Sequence, residues 1–199
     1  TFIQRVAAIT GSAAAASALL PLLGSNYAQA AIVASDDPRL AIDSISYDGP
    51  KGKIAGYLAR PKAKGKRPAI IVIHQNRGLN PHIRDVARRF AVDGYLSLAP
   101  DLLSVAGGSP ADDNDDKARE LHVTANKDDM AEAAVSAVRF LKTHAESTGK
   151  VGTVGFCFGG GVVNLMAINS PDLDAAVAYY GPVPASLDKV AQIKAPLLL

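Results

Sequence analysis

Lys150-Val151-Gly152-Thr153-Val154-Gly155-Phe156-Cys157-Phe158-Gly159-Gly160-Gly161-Val162-Val163-Asn164-Leu165-Met166-Ala167-Ile168 runs from a short valine-rich segment, through a glycine turn, into a segment that is apolar on most faces. That order is the pattern of a buried strand, a sharp turn and a buried helix. Glycines stand two residues before and two residues after Cys157. The backbone of such a turn is strained and crowded, and side chains at the flanking positions would clash. The turn holds its central residue at a helix N-terminus, where backbone N–H groups and the helix dipole favour negative charge. Cys157 therefore reads as a thiolate nucleophile. The competing reading is a small buried hydrophobe in a glycine-rich turn. Gly-x-Cys-x-Gly alone is a weak pattern; the strand before it, the helix after it and the three consecutive glycines give it weight.

The same strand and helix periods recur upstream. Ala69-Ile70-Ile71-Val72-Ile73 is a continuous apolar, mostly β-branched run, as in a parallel strand buried on both faces. A loop follows from His74 to Asn80. Asn80 is placed to cap a helix that starts at Pro81. Ile83, Val86, Ala87, Phe90 and Ala91 recur at helical spacing, and Gly94 ends that helix. Tyr95 to Ala99 predicts the next strand, and Lys127 to His144 an amphipathic helix with Met130, Ala134, Val138 and Leu141 on one face. Ser104 to Asp116 reads as a long surface loop. Its acid run, 112–116, lacks the spacing and glycine of a calcium loop and reads as a solvated loop or helix start. Before these, Ala41–Tyr47 and Lys53–Leu58 predict an antiparallel hairpin around the turn residues 48–52. Beyond the Cys157 unit, Asp174–Tyr180 and Ala195–Leu199 predict two more strands, the last cut off by the end of the chain. Strands alternating with helices after a hairpin give an α/β fold: a mostly parallel sheet with helices on both faces. Right-handed crossovers place the Cys157 turn at the carboxyl ends of the strands, where such sheets bind ligands.

The 199 residues suit one domain with a good core. A net charge of +2 gives no reason to expect a nucleic-acid partner. A single cysteine rules out an internal disulfide. His74, His82, His122 and His144 are scattered, and zinc-ligand spacing is absent, so neither a metal nor an organic cofactor is expected. Residues 1–30 carry one charge, Arg5, and close on Ala28-x-Ala30, the small-x-small form of a signal peptidase site. We expect an export signal cleaved after Ala30, a domain over residues 31–199, and a periplasmic or secreted monomer free of the membrane. The opening Thr1-Phe2-Ile3-Gln4-Arg5 resembles the residues that follow the arginine pair of twin-arginine signals. An alanine-rich core helix or a membrane anchor is the alternative; Pro21 interrupts the run and argues against a spanning helix.

Over residues 41 to 199 the sequence resembles the dienelactone hydrolase family of α/β-hydrolases. The resemblance is carried by Ile70 to Asn80 with its Gly78-Leu79-Asn80, by Gly94-Tyr95 to Pro100-Asp101-Leu102, by Arg119-Glu120, by Gly155 to Gly160 and by Tyr179-Tyr180-Gly181. It implies an α/β-hydrolase fold whose C-terminal part is missing here. It also implies hydrolysis of cyclic enol lactones through a Cys-His-Asp triad. Cys157 would attack the carbonyl to form a thioester, which water cleaves. The N–H groups of Phe158 and Asn76 would form the oxyanion hole. Arg119 matches a family arginine that grips the substrate carboxylate, with a plain surface arginine as the alternative. Gln75 stands where the family carries a glutamate near the nucleophile. Glutamine cannot accept a proton, but it still hydrogen-bonds thiol or substrate. The triad Asp and His are expected beyond Leu199, so the 199 residues alone are expected to be inactive. Of the histidines present, His74 is expected to pack or bond within its loop, His82 and His144 to lie on helix surfaces, and His122 is the less favoured candidate to face the substrate loop. Two functions remain open: a hydrolase of lactones or small carboxylic esters, and a non-catalytic binding domain or inactive fragment.

Overall fold

The structure, a computed structural model, describes residues 31–184 and 187–199. The expected export signal, residues 1–30, lies outside them. Strands β1 (Leu40–Gly49), β2 (Gly52–Pro61), β3 (Arg67–Ile73), β4 (Leu96–Pro100), β5 (Ser147–Phe156), β6 (Ala175–Tyr179) and β7 (Leu197–Leu198) form one sheet in the order β1-β2-β4-β3-β5-β6-β7. The opening hairpin is antiparallel, and β2 joins β4 antiparallel. From β4 to β7 all pairings are parallel. Helices α1 (Pro81–Val92), α2 (Asp115–Thr124), α3 (Lys127–Thr143) and α4 (Phe158–Asn169) complete the layers.

The parallel strands are apolar throughout because both of their faces are covered. Ile71 and Ile73 pack into the core beside Met130, Leu141, Val163 and Met166 of α3 and α4. Val72, between them, points into the opposite core with Ile83, Val86 and Ala87 of α1. Helix starts follow the capping chemistry. The Asn80 side chain accepts the N–H of Ile83 at 3.1 Å, with Pro81 in the first turn. Asn114 and Asn126 cap α2 and α3 in the same way.

One stretch differs from expectation. The segment read as a surface loop from Ser104 begins inside a short 3-10 helix, Leu102–Ala106, whose Leu102 and Leu103 are fully buried. The Asp101 carboxylate holds it there, accepting from the N–H of Leu103 (3.1 Å) and from both the N–H and the hydroxyl of Ser109 (2.7 Å each). The same segment ends in the first turn of α2, where Asp115 and Asp116 favour the helix dipole. Asp85 and Arg88 of α1 are buried, although charged helix residues usually face water. Asp85 accepts the N–H groups of Ile32 (3.1 Å) and Val33 (2.9 Å). Arg88 donates to the Val33 carbonyl (2.7 Å) and the Tyr57 hydroxyl (3.0 Å). Together they fasten the first described residues to α1.

Candidate active site

β5 lies between β3 and β6, so the turn from β5 into α4 opens at the carboxyl edge of the parallel strands. Cys157 occupies that turn with φ 55° and ψ −119°, a conformation that non-glycine residues adopt only under constraint. The constraint is visible. The Cys157 N–H donates to the Tyr179 carbonyl at 3.0 Å, and its own carbonyl accepts from Gly161 at 3.2 Å. A Cβ on Gly155 would sit 2.3 Å from the Gly159 carbonyl oxygen, and one on Gly159 would sit 2.6 Å from the carbonyl oxygens of Ile73 and His74. A Cβ on Gly160 would meet the Tyr179 oxygen at 2.7 Å, and one on Gly181 the Gly160 carbonyl carbon at 2.3 Å. Backbone approaches backbone on every side of the turn, and only glycine allows it. Cys157 itself is exposed. That sets aside its reading as a buried hydrophobe.

The N–H of Phe158 is the first of α4 and belongs to the turn whose donors have no partner inside the helix. Asn76, half-buried, follows three residues after the end of β3. Its neighbour Gln75 donates its amide Nε2 to the Tyr180 hydroxyl at 3.0 Å. His74 is fully buried, and both of its ring nitrogens are engaged. Nε2 accepts the N–H of Leu102 at 3.0 Å, which puts the proton on Nδ1, 2.6 Å from the Gln75 carbonyl oxygen. Burial lowers its pKa against the opposing pull of Asp101. The expectation that His74 bonds within its loop is met, and no nitrogen is left for Cys157.

His122 lies on α2 with its ring edge-on to Phe158, centroids 4.4 Å apart. Desolvation, then the positive charge of Lys127 and the nearby His74, push its pKa down to about 4. Its Nδ1 is buried without a hydrogen-bond partner. His82 is exposed on α1, and His144 caps α3 beside Phe140. Arg119, one helical turn before His122, is exposed, and its guanidinium pairs with Asp116 at 2.7 Å. The structure thus brings Cys157, Phe158, Gln75, Tyr180 and His122 together around the turn, and leaves Arg119 on the open flank of α2.

One supporting residue, Ser109, escapes a sequence reading. The Ser109 hydroxyl accepts the N–H of Leu79 at 2.8 Å while donating to Asp101. With His74 and Leu102, this pins residues 74–79 against the loop after β4. Among the described residues there is no group of His, Cys, Asp and Glu able to hold a metal ion, and no helix long and apolar enough to cross a membrane.

The family model of the dienelactone hydrolase family matches residues 54–199, which takes in every element from β3 to β7 and the Cys157 turn. The chain belongs to the dienelactone hydrolase family. A protein of Methylorubrum extorquens assigned as a carboxymethylenebutenolidase is 32% identical over 177 residues, covering 83% of this chain and 61% of the relative. This chain therefore matches about three fifths of that relative's length. A protein of Escherichia coli assigned as a hydrolase fragment, YghX, is 53% identical over 107 residues, covering 52% of this chain and 90% of its own length. Among solved structures, a protein of Klebsiella pneumoniae assigned as a dienelactone hydrolase superposes with a TM-score of 0.67 at 30% identity, covering 79% of this chain and 70% of its own. The dienelactone hydrolase-like promiscuous phosphotriesterase P91, from metagenomic libraries, superposes with a TM-score of 0.66 at 25% identity, covering 80% and 67%. The fold of this dienelactone hydrolase-family chain is accordingly the α/β-hydrolase fold.

Proposed function

We propose that this chain carries the nucleophile and oxyanion hole of a cysteine hydrolase that cleaves lactones or small carboxylic esters. The carrying observation is the exposed thiol of Cys157, held at φ 55° by backbone contacts that only glycine permits. A residue kept in a costly conformation at the mouth of a sheet is more readily understood as functional than as structural. Sγ attacks the substrate carbonyl, a C–S bond forms, and the carbonyl electron pair moves to oxygen. The N–H groups of Phe158 and Asn76 hold that oxygen. Collapse of the adduct breaks the C–O bond and leaves a thioester, which water then cleaves to the acid and free thiol.

The base and its partner are, on this reading, the His and Asp that the family resemblance places beyond Leu199; His74 is fully engaged and does not serve. Arg119 reaches a substrate carboxylate by leaving Asp116. An exposed ion pair of this kind is worth little, so the swing costs little. Residues 1–30 act as an export signal. N-terminal sequencing of protein recovered from the periplasm should begin at Ala31, and any other start contradicts that assignment. For the chemistry, Cys157→Ala in the full-length protein should reduce ester turnover to background. Turnover at the parent rate would end the thiol mechanism.

A further inference from the structure

The loops after β3 and β6 meet across the Cys157 turn, through the bond between Gln75 and Tyr180. Ile73 pairs with Gly155 across β3 and β5, and Phe156 pairs with Tyr179 across β5 and β6. Continued past the strand ends, that register sets Gln75, Cys157 and Tyr180 at one level, with Cys157 in the middle. Neighbouring strands lie about 4.8 Å apart, so the outer two stand about 10 Å apart. The 3.0 Å hydrogen bond from Gln75 Nε2 to the Tyr180 hydroxyl closes that span.

Tyr180 is built into this place. Its φ of 40° is one of three positive values among the described non-glycine residues, and Cys157 is another. The residue before it receives the Cys157 N–H, and the residue after it lies so close to α4 that a Cβ would sit 2.3 Å from the Gly160 carbonyl carbon. The phenol is therefore positioned by the same backbone contacts that shape the turn.

The direction of the hydrogen bond matters. The amide of Gln75 donates and the phenolic oxygen accepts, which leaves the phenolic hydrogen unused. A carboxylate at position 75 has only acceptors, and would take that hydrogen for itself. We propose that Tyr180 donates its hydroxyl hydrogen to the departing oxygen of the substrate, and that Gln75 is the positioning residue that keeps this hydrogen free. The inference rests on Cys157 being the nucleophile. As the C–O bond of the tetrahedral adduct breaks, its electron pair collects on the departing oxygen, and the phenol stabilises that charge by a hydrogen bond without giving up its proton. The proton that the oxygen finally takes comes from the base that serves the thiol. The contribution grows with the basicity of the departing oxygen, so the site favours alkyl, enol and unactivated aryl esters and lactones.

The test measures acylation of Cys157 in the full-length protein by phenyl acetate and by p-nitrophenyl acetate, with iodoacetamide as a reagent that has no departing oxygen to stabilise. Tyr180→Phe should slow acylation by phenyl acetate about tenfold, the loss of one hydrogen bond to a charged group. It should slow p-nitrophenyl acetate far less and leave alkylation by iodoacetamide unchanged. Gln75→Glu, each rate divided by its own iodoacetamide rate, should give the same dependence on the departing group, and the double variant should lose no more than Tyr180→Phe alone. Equal loss on all three reagents in Tyr180→Phe, or a Gln75→Glu profile that stays parental, overturns the proposal. If no acetyl group appears on Cys157 with either ester in the parent protein, the nucleophile reading itself fails, and that outcome is separate from the other two.

Discussion

Replacing Gly155 by Ala tests how the turn is held. The new Cβ would stand 2.3 Å from the carbonyl oxygen of Gly159, 2.5 Å from its carbon and 3.0 Å from the nitrogen of Gly160. None of these atoms is the end of a side chain that rotates away; all belong to the backbone of α4. Overpacking of a well-packed interior costs about 1–3 kcal/mol, and a backbone clash belongs at the upper end. Replacing glycine also removes freedom from the unfolded chain, which returns about 0.4–1 kcal/mol. The net loss is about 2 kcal/mol, or about 6 °C in Tm for a chain of this length. Gly152→Ala, on the same strand, is the control. Its Cβ would meet only the Ala175 oxygen at 3.6 Å and the Ala175 Cβ at 3.8 Å, ordinary contacts. That variant should be neutral or more stable by about 0.5 kcal/mol. Urea and thermal unfolding of the two variants beside the parent decide the matter. Equal stability of Gly155→Ala and Gly152→Ala would mean that the two positions do not differ in the space they leave for a Cβ.

Stability should fall with pH in two separate windows. The folded state holds His122 at about 4 against its ordinary 6.5, and holds His74 down in the same direction, so the unfolded chain binds more protons and stability is lost as pH drops from 6.5 towards 4. Burial raises the Asp174 pKa, but hydrogen bonds from Lys142, the Val151 N–H and Lys150 outweigh it and hold it at about 2, so its contribution disappears only between 3.8 and 2. His122→Gln should flatten part of the first window in urea midpoints and leave the second; an unchanged first window contradicts the assignment. Arg88→Ala strands the buried Asp85 and should cost about 3 kcal/mol in urea unfolding; a loss under about 1 kcal/mol would show that the pair does not hold the segment at Val33. Ser109→Ala removes the acceptor of the Leu79 N–H, so hydrogen exchange at that amide should quicken by at least about tenfold while amides in β5 keep their protection; equal protection of Leu79 in both proteins speaks against the pin.

The units β3–α1 and β5–α4 are legible in the sequence because their signals are local. Ile70 to Ile73 are apolar and branched, Asn80-Pro81 caps at the expected spacing, and the glycines flank a single cysteine. The site's supports are not local. The Gln75–Tyr180 bond joins residues 105 positions apart, and the Asp85–Val33 bond joins residues 52 apart. No period or motif encodes either pairing. The stretch from Ser104 shows the same limit: read as a surface loop, it begins inside the 3-10 helix Leu102–Ala106, which the Asp101 and Ser109 bonds hold in place. Arg119 shows the reverse case, since a partner one turn away on its own helix competes for the guanidinium that the resemblance gives to the substrate.

On the proposed mechanism Cys157 takes the acyl group. The full-length protein mixed briefly with p-nitrophenyl acetate, quenched in acid and digested, should carry one acetyl group on the peptide containing Cys157, labile to hydroxylamine as a thioester is. An acetyl group on lysine or tyrosine alone, or none while ester is being turned over, would show that Cys157 is not the nucleophile.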